Sequence, residues 1–337
     1  MAKSWILVLN AGSSSLKFAS YDLSLNKIAS GQGGGIAPLD TALADLAMGG
    51  PPVAVGHRIV HGGQRNAPAL LTSDIRREIE DISTLAPLHN PPALAVIDAV
   101  QKQFPTLPQI LCFDTAFHAD NPTEATTIPI PKELRDQGLR RYGFHGLSYA
   151  SLVRRFEAKT GTALPRRLLA LHLGAGASLA AIVKGRGVAT TMGFSPMDGL
   201  VMASRAGATD PGLMLHMAGQ MGMDADKISD VLNKQSGLLA LAGSADMKEI
   251  LATDSDAARF AINHYCYWVA RHAGAMIAAM QGVDGFVFTG GIGENATEIR
   301  ENIMARLGWL GAATQSVWVI PADEESEIAR SAAQILG

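Results

Sequence analysis

The sequence predicts an α/β protein made of two similar halves. At 337 residues, the chain is longer than one hydrophobic core usually supports. Short apolar runs typical of buried strands alternate with amphipathic stretches typical of surface helices, as in an α/β fold. In addition, a unit of apolar strand, glycine turn and second strand occurs at Ile6–Asp22 and again at Leu168–Gly185. Each copy begins one predicted domain.

Composition and charge exclude several classes of protein. Hydrophobic residues make up 47% of the chain and charged residues 18%, as in ordinary globular proteins. No apolar run approaches the ~20 residues of a membrane span. The net charge of −3 argues against a nucleic-acid or anionic membrane surface. The two cysteines, Cys112 and Cys266, lie in apolar stretches without metal-ligand spacing, so we expect buried thiols in a cytoplasmic protein.

The N-terminal half begins with a strand, a tight turn and a second strand. The run Trp5–Leu9 is too short for a secretory signal and is followed by Asn10, so we predict a buried strand. Isoleucines at helical spacing predict a helix from Asp74, capped by Ser73, and a second helix follows with Asn90 as its cap. The strand "QILCFD" comes next.

A loop rich in proline and glycine, "TTIPIPKELRDQGLRRYGFHG", precedes a predicted helix at Leu147–Lys159. We place the domain boundary here, with an N-terminal domain over residues 1–146 and a C-terminal domain over residues 147–321. In the second domain, the apolar face of a long helix, Asp254–Gln281, indicates core or a subunit contact. The segment "DGFVFTGGIGENATEIRENI" predicts a strand, a glycine loop and a helix. A last strand and a helix with an acidic first turn follow.

Three glycine turns each follow a buried strand, at Gly12, at Gly174–Gly176 and at Gly290–Gly293. The backbone N–H groups of such turns bind anions, and the third turn also precedes a helix, whose N-terminus favours phosphate. One such turn is common in ordinary hairpins, whereas three in the same context indicate phosphate binding. The Walker A and Rossmann motifs are both absent from the sequence.

Arginine and histidine in glycine-rich segments are the second unusual feature. Arg58 lies in "GHRIVHGG", His145 in "RYGFHG" and Arg205 in "ASRAGATDP". Each alone is more often a structural residue. Arginines in such loops, away from charged helix faces, suit a planar anion, because the guanidinium binds carboxylate or phosphate with two parallel hydrogen bonds. The histidine spacings do not fit zinc motifs.

Together these segments resemble the acetate kinase family. The resemblance rests on eight motifs in the family's order and covers nearly the whole chain: "NAGSSSLKF", "GHRIVHGG", "CFDTAFH", "RYGFHG", "LHLGAGAS", "FSPMDGL", "FTGGIGEN" and "IPADEE". It implies two duplicated actin-like (ribonuclease H-like) domains with a central cleft. It also implies reversible, Mg²⁺-dependent, in-line transfer of phosphate from ATP to acetate, giving acetyl phosphate and ADP.

The chemistry implied by the resemblance fits the arginines. Acetate is already ionised at neutral pH, so the difficulty is to bring two anions together, and positive groups matter more than a base. Arg58 and Arg205 would hold the carboxylate and the equatorial phosphoryl oxygens, and His145 would donate to the transferring group. Asp114, in "CFDTAFH", would have an orienting or proton-handling role.

The resemblance further implies the metal and acetate sites. Asn10 and Glu324 match the family's magnesium positions, although Glu324 could equally be a helix-start charge. For the two to meet, the C-terminal helix, about residues 322–337, must join the N-terminal domain. The positions that match the methyl-binding pocket are Val60, Leu88, Phe144 and Pro196. One methylene is worth only about 1–3 kcal/mol in such a pocket, so acetate and propionate stay alternatives.

The nucleotide side departs most from the family pattern. The positions that match nucleotide-binding residues are Lys17, His172, Leu173, Gly174, Ala175, Gly176, Asp246, Met247, Lys248, Gly291, Ile292, Gly293, Glu294 and Asn295. Ala175 replaces an asparagine, Lys248 an arginine, and Ala208 an acidic residue after Arg205. We therefore expect ATP to be used with little selectivity over other nucleoside triphosphates. The stretch from Tyr21 to Pro52 is short, so we expect a chain shorter than its relatives.

Several other functions stay open on the sequence alone. A propionate kinase or a pyrophosphate-using relative would share most of these residues. A non-catalytic actin-like nucleotide module would need the turns but not Arg58, His145 and Arg205. A sugar kinase of the same superfamily fits less well, because the arginines suit an anionic acceptor. As partners we expect a short carboxylate, ATP or ADP, and a second copy of the chain, and no nucleic acid or membrane.

Overall fold

The fold is that of a computed structural model, which describes residues 4–12, 15–34, 50–310 and 316–337. The chain forms two compact units. The first comprises Met1–Ala119, Phe144–Arg154 and Asp323–Gly337, and the second comprises Asp120–Gly143 and Arg155–Ala322. Ser13 and Ser14 of the predicted first turn, and half of the short stretch between Tyr21 and Pro52, lie outside the described residues. The domain boundaries drawn from the sequence stay a prediction.

The described residues form eleven strands and thirteen α-helices. The strands are β1 (Trp5–Ala11), β2 (Ser15–Asp22), β3 (Lys27–Gly34), β4 (Ala54–Ile59), β5 (Ala69–Leu70), β6 (Gln109–Phe113), β7 (Arg167–Leu173), β8 (Ala177–Val183), β9 (Arg186–Thr190), β10 (Gly285–Thr289) and β11 (Ser316–Val319). The helices are α1 (Ser73–Asp81), α2 (Asn90–Gln103), α3 (Thr123–Thr126), α4 (Lys132–Arg135), α5 (Gly146–Thr160), α6 (Pro211–Gly219), α7 (Ala225–Lys234), α8 (Gly237–Ala242), α9 (Met247–Ala252), α10 (Asp256–Met280), α11 (Gly290–Asn295), α12 (Thr297–Arg306) and α13 (Glu324–Leu336). None of the described helices is both long and apolar enough to span a membrane.

The sheet of the first unit has the strand order β3-β2-β1-β4-β6-β5. β1 pairs antiparallel with β2 and parallel with β4, and β4 pairs parallel with β6. Every residue of β1 is buried, which explains its almost continuously apolar sequence, WILVLNA. α2 packs on one face of the sheet through Val96 and Ile97, and α13 packs on the other through Ile328 and Ala332. The parallel strands β1, β4 and β6 therefore end at one edge of a covered sheet.

The sheet of the second unit repeats this path, with the order β11-β10-β7-β8-β9. β7 is antiparallel to β8 and β8 to β9, whereas β7 is parallel to β10 and β10 to β11. Five strands of the first sheet, β3-β2-β1-β4-β6, thus correspond in direction and order to β9-β8-β7-β10-β11. The predicted α/β fold with two similar halves is confirmed.

Two predicted helix caps are wrong by one residue. The cap of α1 is Thr72 rather than Ser73, and the Thr72 hydroxyl accepts a backbone N–H of the first turn. α2 begins at Asn90, and the residue before it, His89, occupies the cap position. The Asn90 side chain is not available for capping because its amide is bonded to the backbone of His61. A tertiary contact thus overrides the local capping preference.

The glycine loop predicted after β10 is a helix instead. α11 follows β10 directly, and Gly290 begins it with a φ of 79°. A Cβ at Gly290 would lie 2.8 Å from the carbonyl oxygen of Leu173, so only glycine allows the chain to pass there. The Glu294 carboxylate accepts the Gly290 N–H at 2.9 Å. These contacts keep the segment helical, although its three glycines disfavour a helix.

The predictions for the long helix and the cysteines are confirmed. α10 covers Asp256–Met280, and Tyr265, Val269 and Met280 on its predicted apolar face are buried in the core. Cys112 and Cys266 are both free and buried. Burial raises the pKa of each thiol to about 12, so neither is a reactive nucleophile.

Candidate active site

Strand pairing in the first unit brings three predicted site residues to one edge of its sheet. In the parallel ladders Leu9 is opposite His57, and Arg58 is opposite Cys112. Asn10, Arg58 and Asp114 therefore lie at the carboxyl ends of β1, β4 and β6. Sites in open α/β sheets commonly form at this edge, because loops leave the carboxyl ends of neighbouring parallel strands side by side.

The Arg58 guanidinium lies at the centre of a cluster of carboxyl and amide groups. Its Nη2 donates to Asp114 Oδ2 at 2.6 Å, and its Nε lies 3.1 and 3.2 Å from the two Asp114 oxygens. Its Nη1 donates to Asn10 Oδ1 at 3.2 Å and lies 3.3 Å from Glu324 Oε2. Only 15% of the Arg58 side chain is exposed, and the Asp114 side chain is fully buried. Arg58 and Asp114 therefore form a bidentate, charge-assisted ion pair.

The C-terminal helix completes this cluster. Glu324 begins α13, and its carboxylate accepts a hydrogen bond of 3.1 Å from Asn10 Nδ2. The same Nδ2 donates to Glu325 Oε1 at 2.9 Å. The approach of Glu324 to Asn10 expected from the sequence is therefore present. Acidic residues at this position also suit the positive end of the helix dipole.

Burial and charge act against each other at Asp114. Burial raises the pKa of its carboxyl to about 6, while Arg58 opposes this rise and Glu324 adds to it. The backbone N–H of His145 also stabilises the ionised form. Burial alone would lower the pKa of Arg58, but the carboxylates of Asp114 and Glu324 raise the pKa above its ordinary value. We conclude that Arg58 is always charged and that Asp114 is ionised above neutral pH.

The donors in this cluster fit the predicted magnesium ion. Mg²⁺ prefers carboxylate and amide oxygens, and it usually takes one or two carboxylates while water and phosphate complete its shell. Asn10 and Glu324 supply such oxygens, and Glu325 adds a carboxylate beside them. Among the described residues, no group of three or more His, Cys, Asp or Glu side chains could hold a metal on its own. Metal binding at Asn10 and Glu324 stays a prediction.

His145 lies on a segment held tightly against Asp114. Its φ is +57°, in the left-handed region that residues with a side chain rarely adopt. The His145 N–H bonds to the Asp114 carboxylate, and the Gly146 N–H donates to the Asp114 carbonyl oxygen at 2.9 Å. A Cβ at Gly146 would lie 2.2 Å from that carbonyl oxygen, so this close approach requires glycine.

The residues predicted to contact the acetate methyl group are divided between the two units. Val60 and Phe144 are buried in the first unit, where Leu88 is half-buried. The ring of His61, next to Val60, packs edge-on against Phe144 with centroids 5.3 Å apart. Both backbone groups of His61 bond to the buried Asn90 amide, at 3.0 and 3.1 Å, which fixes the chain beside Val60. Asn90 was not among the predicted site residues.

Pro196 and Arg205 lie in the second unit, on the glycine-rich segment after β9. Arg205 Nη1 donates to the Pro196 carbonyl oxygen at 3.1 Å and lies 3.7 Å from the Met202 sulfur. The structure therefore brings the predicted acyl-site arginine of this unit together with the predicted acyl-site proline.

A cavity of about 790 Å³ in the second unit collects most of the predicted nucleotide residues. Those that line it are Gly174, Ala175, Asp246, Met247, Lys248, Gly291, Ile292 and Asn295. Its wall also includes Ala203, Ala245, Leu251 and Ala296, which the sequence did not single out. These side chains are small and apolar, so they carry no chemical signal in a sequence.

The remaining predicted nucleotide residues do not line this cavity. His172 and Leu173 end β7, directly before Gly174 in the wall, while Gly176 lies in the same turn as Gly174 and Gly293 lies in α11. The Glu294 carboxylate accepts the backbone N–H groups of Gly290 and Ala322, each at 2.9 Å, so it holds the start of α11. Lys17 lies in the first unit, exposed on β2 opposite Asn10.

Comparison with known proteins gives a consistent answer. A family model described as the acetokinase family matches residues 52–334. An acetate kinase of Rhodopseudomonas palustris is 40% identical, and the match covers 96% of both chains. That alignment spans 384 positions, more than the 337 residues here, so this chain has gaps in the alignment, and the expectation of a shorter chain stays a prediction. An acetate kinase of Dichelobacter nodosus is 37% identical over 99% of both chains.

Solved structures agree with this result. A propionate kinase from Francisella tularensis superposes with a TM-score of 0.91 at 34% identity, covering 98% of this chain and 99% of that one. The Porphyromonas gingivalis acetate kinase has a TM-score of 0.87 at 31% identity, covering 99% and 100%. The chain belongs to the acetokinase family.

Proposed function

We propose that this protein transfers the terminal phosphoryl group of ATP reversibly to acetate, giving acetyl phosphate and ADP. The observation that carries the proposal is the Arg58 guanidinium, held by the buried Asp114 carboxylate at the strand ends of a chain of this family. Such an arrangement suits the approach of two anions. It has no evident use in a protein that only binds a nucleotide.

The reaction needs charge stabilisation and no general base. An acetate oxygen attacks the γ-phosphorus in line, and the bond to the ADP oxygen breaks with its electron pair left on ADP. Arg58, Arg205 and His145 would stabilise the negative charge on the equatorial oxygens. Asp114 would act on Arg58, because a fork of three N–H···O contacts fixes the plane of the guanidinium. Its task is therefore orientation, and it does not take the proton of a substrate.

Magnesium is the cofactor that the cluster supports best. Asn10 and Glu324 would hold the ion by their side-chain oxygens. When bound, the ion would offset the charge of the ATP phosphates. The cluster has the negative charge to accept it, since the carboxylates of Asp114, Glu324 and Glu325 all act on the Arg58 guanidinium.

ATP is the expected phosphate donor, with weak selectivity for its base. The cavity wall beside Ala175 has alanines where a polar side chain would give a directional hydrogen bond. Lys248 supplies a point charge, which unlike arginine can neither stack on a ring nor bind with two parallel prongs. Selectivity between bases then rests on the backbone of α11.

The acyl acceptor is the open question, and propionate is the second candidate. The observation that favours it is the high similarity to a solved propionate kinase. The purified protein with Mg²⁺ and ATP should be offered acetate, propionate and butyrate, with the acyl phosphate trapped as hydroxamate. We expect the highest kcat/KM with acetate. A higher value with propionate would select the alternative, and no hydroxamate with any carboxylate would refute acyl-phosphate formation.

We also infer that two copies of the chain associate through α10. Phe260 and Tyr267 on this helix are 57% and 52% exposed, and His264 and Trp268 lie half-buried on the same face. Arg271 stacks over the Trp268 ring, 4.5 Å from its centroid. Aromatic residues and arginine are enriched in interfaces, and a two-fold axis can pair one helix face with itself. We place the dimer in the cytoplasm, where ATP is available and free thiols stay reduced.

A further inference from the structure

The turn that carries Asp114 holds three consecutive residues of another segment. Asp114 binds the N–H groups of His145 and Gly146, as described above. Four residues further on, in the 3₁₀ turn Ala116–His118, His118 Nε2 lies 3.0 Å from the carbonyl oxygen of Phe144. The turn and the segment are therefore joined at each of the positions 144, 145 and 146.

The chemistry of the His118 ring fixes which of its nitrogens carries hydrogen. The ring is fully buried, and burial lowers the pKa of His118 to about 4, so it is neutral at physiological pH. A carbonyl oxygen can only accept, so Nε2 carries the proton and donates to Phe144. The other nitrogen, Nδ1, has no hydrogen-bond partner among the described residues. The rings of Phe117 and Tyr149 pack edge-on against His118, with centroids 5.3 and 5.7 Å away.

This hydrogen bond acts on a strained backbone. His145 has a φ of +57°, and a residue with a side chain keeps such a conformation only where its surroundings over-determine it. The Phe144 carbonyl belongs to the peptide group whose N–H is that of His145. His118 and Asp114 thus hold the two ends of one peptide group, so its plane cannot rotate. The rotation of that plane sets where the His145 side chain begins.

We propose that His118 is a positioning residue for the phosphoryl transfer, which holds the Phe144–His145 peptide group so that His145 faces the transferring phosphate and Phe144 the acyl group. The proposal rests on the proposed function. It differs from a purely structural role, in which the loss of His118 would weaken folding but leave a folded enzyme with normal turnover. The proposed role requires an N–H donor at this position and does not require an imidazole ring.

Three variants separate these roles. His118→Leu keeps a similar volume and removes the donor, whereas His118→Gln keeps an N–H at the position of Nε2. His57→Leu is the matched control, because His57 is also buried in the first unit and bonded through Nε2, at 2.8 Å to Gln109. Each variant is compared with wild type at a temperature where all four proteins are folded.

The first measurement is backbone amide hydrogen exchange at His145 and Gly146, which does not depend on catalysis. We expect His118→Leu to lose protection there by about tenfold or more. His118→Gln and His57→Leu should stay within about threefold of wild type. Equal exchange in His118→Leu and wild type would overturn the proposal, and so would equal loss in both leucine variants.

The second measurement is the formation of acetyl phosphate. We expect kcat to fall about 10- to 100-fold in His118→Leu, because a misplacement of about 1 Å at a reacting group has an effect of this size. The KM for acetate should rise, and the KM for ATP should not change. His118→Gln should restore kcat. A folded His118→Leu enzyme with wild-type kcat would overturn the proposal. So would a His118→Gln enzyme whose kcat is as low as that of a slow His118→Leu enzyme. A wild-type protein inactive with every carboxylate would refute the proposed function, while the exchange rates would still report whether His118 holds the segment.

Discussion

Replacing Arg58 by alanine tests the central cluster most directly. The change removes the counter-ion of Asp114, whose side chain is fully buried. Breaking a buried ion pair in this way costs about 3–5 kcal/mol of unfolding free energy, because the remaining charge is left without a partner. We also expect kcat to fall by about 10²- to 10³-fold, the usual cost of losing one contact to the transition state.

The stability loss in Arg58→Ala should depend on pH. Without the guanidinium, burial and Glu324 push the pKa of Asp114 above the value of about 6 that it has in the wild type. A carboxyl with a raised folded-state pKa contributes stability that is present below its unfolded pKa, 3.8, and lost as pH rises through the folded pKa. The deficit of the variant should therefore be largest at about pH 8 and smaller at about pH 5.5.

Native-state hydrogen exchange at the amides of β1 measures the stability of the first unit at both pH values. The matched control is Arg58→Ala/Asp114→Asn, in which a neutral amide replaces the stranded carboxylate. We expect it to regain about 2–3 kcal/mol at pH 8 and little at pH 5.5, without regaining kcat. A deficit equal at both pH values, or a double variant no more stable than the single one, would refute this account of the cluster.

Arg205→Ala provides the comparison within the second unit. Arg205 donates to the Pro196 carbonyl oxygen, and the loss of such a hydrogen bond costs about 1 kcal/mol. We therefore expect Arg205→Ala to lower kcat far more than it lowers the free energy of unfolding, whereas Arg58→Ala should lower both. An Arg205→Ala enzyme with wild-type kcat would contradict its proposed role.

Three further predictions follow from other parts of the chain. Ala175→Asn should raise the preference for ATP over GTP in kinetics at saturating acetate; strict ATP selectivity in the wild type, or activity with pyrophosphate alone, would contradict our account of the cavity. Tyr267→Glu should convert a dimer to a monomer in light scattering, while Leu23→Glu, exposed on the first unit, should not; an unchanged mass for Tyr267→Glu would exclude this interface. Burial lowers the pKa of His57 to about 4, so its stabilising effect is present above about pH 6.5 and is lost as pH falls towards 4. Between pH 7.5 and 5.5, the free energy of unfolding of His57→Gln should therefore fall by about 1–2 kcal/mol less than that of the wild type. An equal fall in both proteins would show that His57 titrates normally.

The repeated strand pattern was predictable because its signal is local. A buried strand with neighbours on both sides needs an almost unbroken apolar run, and a polar or glycine residue must end it. Both conditions hold in β1, which is buried throughout, and in β7, in which Leu168, Leu169, Ala170 and Leu171 are buried. The pairing β1–β2 and β7–β8 follows, since a short turn leaves only an antiparallel neighbour. The fold class was therefore accessible from the sequence.

Other features depend on contacts between residues far apart in the sequence, so no local sequence pattern predicts them. The glycines of α11 indicate a loop, yet the Leu173 carbonyl and the Glu294 carboxylate hold that segment as a helix. Asn90 has the chemistry of a helix cap, yet its amide serves the backbone of His61. His118 gave no signal beyond its place in a motif, because its function lies in a hydrogen bond to a residue 26 positions away.

The central cluster shows why a resemblance was needed to predict the site. Asn10 and Glu324 are 314 positions apart, and no local pattern links a strand end to the first turn of a helix near the C-terminus. The structure adds the charge balance, since the Arg58 guanidinium interacts with three carboxyl groups, those of Asp114, Glu324 and Glu325. Partly buried carboxylates in excess repel one another unless a cation joins them. The same excess would also repel the phosphates of ATP, so we expect a cation to enter the cluster together with the nucleotide.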